Sequence, residues 1–244
     1  MEIEITNGQG IINILFDDFA SCLVICKPLA GSWPDCRGSV GEYYAISDYS
    51  TIEREQYTND LNDYLINGND ENQIKCISRF LNLFANGIYK VGKSIIEVNQ
   101  FSFLTNNQVF YSKQVPENEK FSGAFYPFYD DNAEPHIYSI TNKYLNKERI
   151  EFYIELIKKG IKPTIIVFEV YNVESCEYSR SYVLDGHHKI EAYLKLKQPI
   201  PAIFIQKSII KKDDSLNLLK EIKPILKDFE YEHIFKHNDG INKT

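Results

Sequence analysis

The strongest constraint on the fold lies between residues 146 and 206, where helical and strand periodicity alternate. Asn146 precedes Ile150, Tyr153, Ile154 and Ile157, spaced i, i+3, i+4 and i+7, which predicts a capped amphipathic helix ending at Gly160. After Pro163, TIIVFEV is a nearly continuous apolar run and predicts a buried strand. A polar turn, NVESCEYS, leads to a second strand over Ser181–Leu184. Asp185-Gly186 then turns the chain into a helix with Ile190, Tyr193 and Leu194 inward. Pro199 and Pro201 bracket its exit, and Ala202–Ile205 predicts a third strand. The order predicts one compact unit over 147–208 with its three strands in a shared sheet.

Upstream the signals are weaker. Residues 11–16 and 19–26 read as strands joined at Asp17-Asp18, and KPLAGSWPDCRGSVGE reads as a loop because of its glycines and prolines. Two helices follow, one with Tyr57, Leu61, Tyr64 and Leu65 on a face, the other with Ile74, Ile77, Leu81 and Phe84. Gly68 and Gly87 suit their stops. Residues 94–112 read as a hairpin turning near Asn106-Asn107. The polar stretch Ser112–Lys120 is the best boundary, dividing an α+β region over 1–115 from a second domain over 116–244. Pro224 is expected to break a final helix that starts near Asp213-Asp214.

A net charge of −7 argues against a polyanionic partner, since an acidic surface repels nucleic acid unless basic residues gather on one face. The lysines at 158–162 and 207–212 read as solvated element ends. Five cysteines without a CxxC pair, no signal-like start and no long apolar run predict a soluble, cytoplasmic chain with free thiols and no membrane partner. Cys22 and Cys26 lie on one side of an apparent strand and read as core. No closed metal-ligand spacing is present, so no metal ligand is assigned.

The chemistry concentrates in Asp185-Gly186-His187-His188-Lys189. A strand delivers the chain, glycine permits a tight turn, and a helix begins at once. The first N–H groups of a helix lack internal partners and carry positive potential, which suits an anion. His187 and His188 add imidazoles, Lys189 adds a charge, and Asp185 is placed to accept a hydroxyl proton or to help hold a cation beside a phosphate. The same pattern also describes an ordinary capped turn.

The segment Lys147–Ser208, with the box YVLDGHHKIEAYLKL, resembles the ParB/sulfiredoxin-like superfamily, and within it the branch with a DGHHR-type box that includes ADP-dependent free-serine kinases. The resemblance covers about a quarter of the chain, plus a weaker match at Glu134-Pro135-His136. It implies a ParB/sulfiredoxin-like C-terminal domain beside an N-terminal α+β region of unknown fold. It also implies a nucleotide, ATP or ADP with Mg2+, as cofactor, and phosphotransfer to a small hydroxylated molecule. By carry-over Gly186, His187, His188 and Lys189 line a phosphate site, Asp185 and Glu134 supply catalytic carboxylates, and His136 stands nearby. The chain departs from that branch in two places. Lys189 replaces an arginine and loses its bidentate grip. Pro135-His136 is followed by Ile137 where that branch has glutamate. These departures keep a second reading open, that of a non-catalytic binding or immunity-type interaction protein retaining the fold.

Overall fold

The computed structural model describes residues 1–16, 21–25, 28–34, 42–46, 65–66, 77, 80–98, 102–104, 123–126, 136–138, 140, 145–172, 180–209, 215–228 and 231. Its strands in chain order are β1 (Glu2–Ile5), β2 (Ile12–Phe16), β3 (Ser21–Ile25), β4 (Pro28–Pro34), β5 (Glu42–Ile46), β6 (Gly87–Ile96), β7 (Ser102–Leu104), β8 (Gly123–Tyr126), β9 (His136–Tyr138), β10 (Ile165–Asn172), β11 (Arg180–Asp185) and β12 (Ile200–Ile209). The helices are α1 (Lys147–Lys158), α2 (His187–Leu196) and α3 (Ser215–Ile222), the last continued by a 3-10 turn at Lys223–Ile225 where Pro224 stands. The class is α+β.

Two sheets form. The larger has the order β1-β6-β12-β10-β11-β9-β7, the smaller β2-β3-β4-β5-β8. The three strands expected to share a sheet do so: β10 pairs parallel with β12 and antiparallel with β11. Helix α1 links β9 to β10 across β11, and α2 links β11 to β12 across β10, so the two crossovers interleave. Strands from both sides of residue 115 make up the larger sheet, so the two regions separated there by the sequence reading are joined in space. The polar stretch 112–120 itself lies outside the described residues.

Strand alternation explains the layering. On one face of the larger sheet Ile165, Val167, Val183 and Ala202 pack with Ile150, Tyr153, Ile154 and Ile157 of α1 and Ile190 and Tyr193 of α2. On the other, Ile166, Phe168, Tyr182 and Ile205 meet Ile12, Ile14, Phe16 and Leu23 of the smaller sheet. Phe84 sits in this second core, edge-on to Phe80, Tyr89 and Phe168 with centroids 4.9–5.5 Å apart. Cys22 is buried on β3, where burial, and then the nearby Glu221 charge, raise its thiol well above the usual range. This agrees with its reading as core; Cys26 lies outside the described residues.

Three sequence expectations differ from the structure. Pro28–Pro34 is a strand, not a loop, with its prolines at the strand ends where a missing N–H is tolerated. Pairing with β3 and β5 outweighs the local turn signals. The arm expected to run from residue 94 is not one strand: β6 ends at Ile96 between β1 and β12, while β7 lies at the opposite edge beside β9, and the expected turn near Asn106-Asn107 lies outside the described residues. Gly87 opens β6 at φ +156° instead of closing a helix directly, since the helical residues Phe80 and Leu81 are followed by a turn. Of the residues expected in the two upstream helices, Leu65, Ile66, Ile77, Phe80 and Leu81 are described and helical, whereas Phe84 lies past the helix end in a β-bridge with Ile12. Among the described residues no helix is long and apolar enough to cross a membrane.

A buried polar contact helps to tie the layers. The Tyr182 hydroxyl lies 2.6 Å from Ser21 Oγ and donates to the Ser21 carbonyl at 3.2 Å, all buried. Tyr182→Phe should lower stability by about 1–2 kcal/mol in urea titration, because it leaves a buried hydroxyl without its partner. A neutral result would remove this contact from what holds the sheets together.

Candidate functional site

The site begins where β11 ends. Gly186 adopts φ 114°, ψ 19°, a left-handed conformation that turns the chain from strand to helix. A Cβ at this position would stand 2.5 Å from Ile165 Cγ2. Glycine therefore lets the helix start press onto the first residue of β10. Gly186 is also the N-cap and supplies no side-chain cap to α2. The first intrahelical bond runs from Ile190 N–H to the Gly186 carbonyl at 2.8 Å.

Lys189 lies in the first turn of α2 and points inward. It is 1% exposed, and Nζ donates to Asp185 Oδ2 at 2.7 Å and to the Thr164 carbonyl at 3.0 Å. The Tyr153 ring of α1 lies 5.9 Å from the same ammonium. The amine expected at the mouth of an anion site instead clamps the end of β11 to the entry of β10. Asp185 keeps 13% of its side chain exposed.

The two histidines act as acceptors. Ile140 N–H donates to His187 Nε2 at 3.2 Å, and Asn146 N–H donates to His188 Nε2 at 3.1 Å. His187 is buried and His188 is half-buried. Asn146 also caps α1, its Oδ1 accepting from Arg149 N–H at 3.1 Å. The start of α2 is thus more enclosed than the sequence suggests, with Asp185 and His188 its partly exposed side chains among the box residues.

Of the two upstream candidates, only the backbone of His136 is described, and it sits elsewhere. Glu134 lies outside the described residues. β9 runs parallel to β11 with Ile137 opposite Ser181, which puts the His136 backbone level with Arg180. That is five residues from Asp185, or about 16 Å at strand spacing. Because the strands are parallel, the end of β9 points toward the box, where Ile140 reaches His187. Ile140, Asn146 and the Thr164 carbonyl are therefore the contacts that sequence reasoning missed. One signal was available: Asp185 and Lys189 are four residues apart, the spacing of a helical ion pair.

Mg2+ characteristically binds through one or two carboxylates plus ligand phosphates, and Asp185 fits the first part of that set. Among the described residues no group of three or more His, Cys, Asp or Glu side chains gathers as a metal cage. No protein-family model matches the sequence, and no curated protein matches it either.

Proposed function

We propose that this chain binds the phosphate of a nucleotide at the start of α2, and that its activity is phosphotransfer to a small hydroxylated molecule. The observation that carries the reading is the uncapped start of α2, a ten-residue helix entered through left-handed Gly186 beside a partly exposed carboxylate. Backbone N–H groups there suit phosphate oxygens. Asp185 suits a substrate hydroxyl or a magnesium ion bridging to the phosphates, which would supply charge neutralisation. In this reading Lys189 holds Asp185 in place, and the resemblance to the DGHHR-type branch points the same way.

A second reading is favoured by one specific observation. Oδ2 of Asp185 already accepts from an ammonium at 2.7 Å. A carboxylate so engaged suits a non-catalytic binding or immunity-type interaction protein.

Thermal melts with ATP, ADP, CTP or GTP, with and without magnesium, test the binding. Ligand at a hundred times its Kd should raise the melting temperature by roughly 5–10 °C, from about 2.7 kcal/mol of linkage. Product formation with a panel of hydroxylated metabolites tests the chemistry. Asp185→Asn should lower turnover by about 100-fold or more while binding persists. Binding without turnover selects the second reading, and no shift with any nucleotide overturns both the binding and the transfer.

A further inference from the structure

We infer that the helix side of the larger sheet carries a binding site for a small protonated alkylamine, built on Glu169, Gln206 and Ser181. The inference is independent of a nucleotide, because Ser181 lies four residues before Asp185 on β11, about 13 Å at strand spacing. Register sets the three residues in one row: Glu169 stands opposite Ser181 of β11 on one side and Gln206 of β12 on the other. Val167, Val183 and Ala202 face α1 and α2, so these residues, two or four positions away on the same strands, lie on that face too. Glu169 and Gln206 are half-buried, and Ser181 is buried. Gln206 Nε2 donates to Glu169 Oε2 at 3.3 Å, which leaves the amide oxygen, the other carboxylate oxygen and the Ser181 hydroxyl as acceptors.

The chemistry of this row points to a cation. Among the described residues no lysine, arginine or histidine forms an ion pair with Glu169. Burial pushes its carboxyl above the usual carboxylate range. A carboxylate half removed from water without a counter-charge is costly, and an ammonium, with three donors and no acceptor, matches the three acceptors of the row. The adjacent row receives the alkyl stem. Phe204 of β12 is half-buried, and Gly92 stands opposite it on β6, exposed, with nothing within 4 Å of an added Cβ. This open floor beside a ring suits a short run of methylenes. Lys90, opposite Gln206 in the polar row, is exposed and stands across from Glu2 of β1, so an opposite charge lies beside its own.

The test titrates the full chain with n-butylammonium chloride at neutral pH and follows the amide signals of Ser181, Glu169, Gln206 and Gly92. A saturable shift at these positions is expected, with n-butanol and sodium chloride giving none. Glu169→Gln keeps the shape and removes the charge, and should weaken the binding by roughly tenfold or more. Gly92→Leu occupies the open floor without meeting other atoms, and should weaken it by roughly fourfold for each methylene displaced. The inference is overturned if n-butylammonium gives no saturable shift. An equal response to n-butanol overturns it by removing the charge from recognition, and an equal response to sodium chloride reduces the site to one for inorganic cations. Native affinity in either variant overturns it as well. If Glu169→Gln does not fold, Gly92→Leu and the three titrants decide.

Discussion

Replacing Lys189 with methionine is expected to lower the unfolding free energy by about 3–5 kcal/mol. The ammonium is 1% exposed and serves two acceptors, the Asp185 carboxylate and the Thr164 carbonyl. Methionine fills much of the volume but donates nothing. It leaves a largely buried carboxylate without its counter-charge and a carbonyl without its donor. A surface pair would contribute no more than about 1 kcal/mol, so the size of the loss measures how far this pair is removed from solvent. Adding Asp185→Asn to Lys189→Met should restore part of the loss, since the uncompensated charge is then gone. Urea titration of the two single variants and the double variant reads all three values. A Lys189→Met chain within about 1 kcal/mol of the native one would show that the clamp contributes little to holding β11 against β10.

Gly186→Ala should be comparably damaging, by about 3 kcal/mol or more, for a different reason. Two costs add. The φ of 114° is one that residues with a Cβ rarely adopt, which costs roughly 1–3 kcal/mol. The new methyl also meets Ile165 Cγ2 at 2.5 Å and Cβ at 2.8 Å, and Ile165 is fully buried in the core beneath α1 and α2. Overpacking of this kind costs roughly a further 1–3 kcal/mol. The contrast is Gly160→Ala. Gly160 also has positive φ, at +84°, yet nothing lies within 4 Å of an added Cβ. That variant should show the conformational cost alone. Equal losses at the two positions, read by urea titration, would remove the packing part of the argument at Gly186.

The contrast between what could be read from sequence and what could not follows the range of the interactions. Asn146 as a cap and Ile150, Tyr153, Ile154 and Ile157 as a buried face are decided within twelve residues, and the structure agrees with them. The shared sheet of β10, β11 and β12 follows from apolar runs placed in order. The strand over Pro28–Pro34 was hidden because its partners, not its own residues, determine its conformation. The extent of β6, which starts at Gly87 and not at residue 94, was hidden for the same reason, since its neighbours β1 and β12 lie far away in the chain. In the box, the left-handed turn at Gly186 was legible from the dipeptide Asp185-Gly186. The burial of Lys189 was not, because a lysine in a first turn ordinarily faces solvent. Nor could spacing alone show that His187 and His188 accept from Ile140 and Asn146, more than 40 residues upstream.

The placement of β6 also bears on how the chain is made. Its last residue, Ile96, precedes Ile200, the first residue of its partner β12, by more than a hundred positions. At roughly 5–20 residues per second, a ribosome needs about 5–20 s to supply that partner. Through this interval β6 has only four-residue β1 beside it, and a two-stranded ribbon is marginally stable by itself. The side of β6 that will meet β12 therefore stays open to other chains until the C-terminal third emerges, which makes the period of synthesis, more than the finished fold, the time of greatest exposure to aggregation.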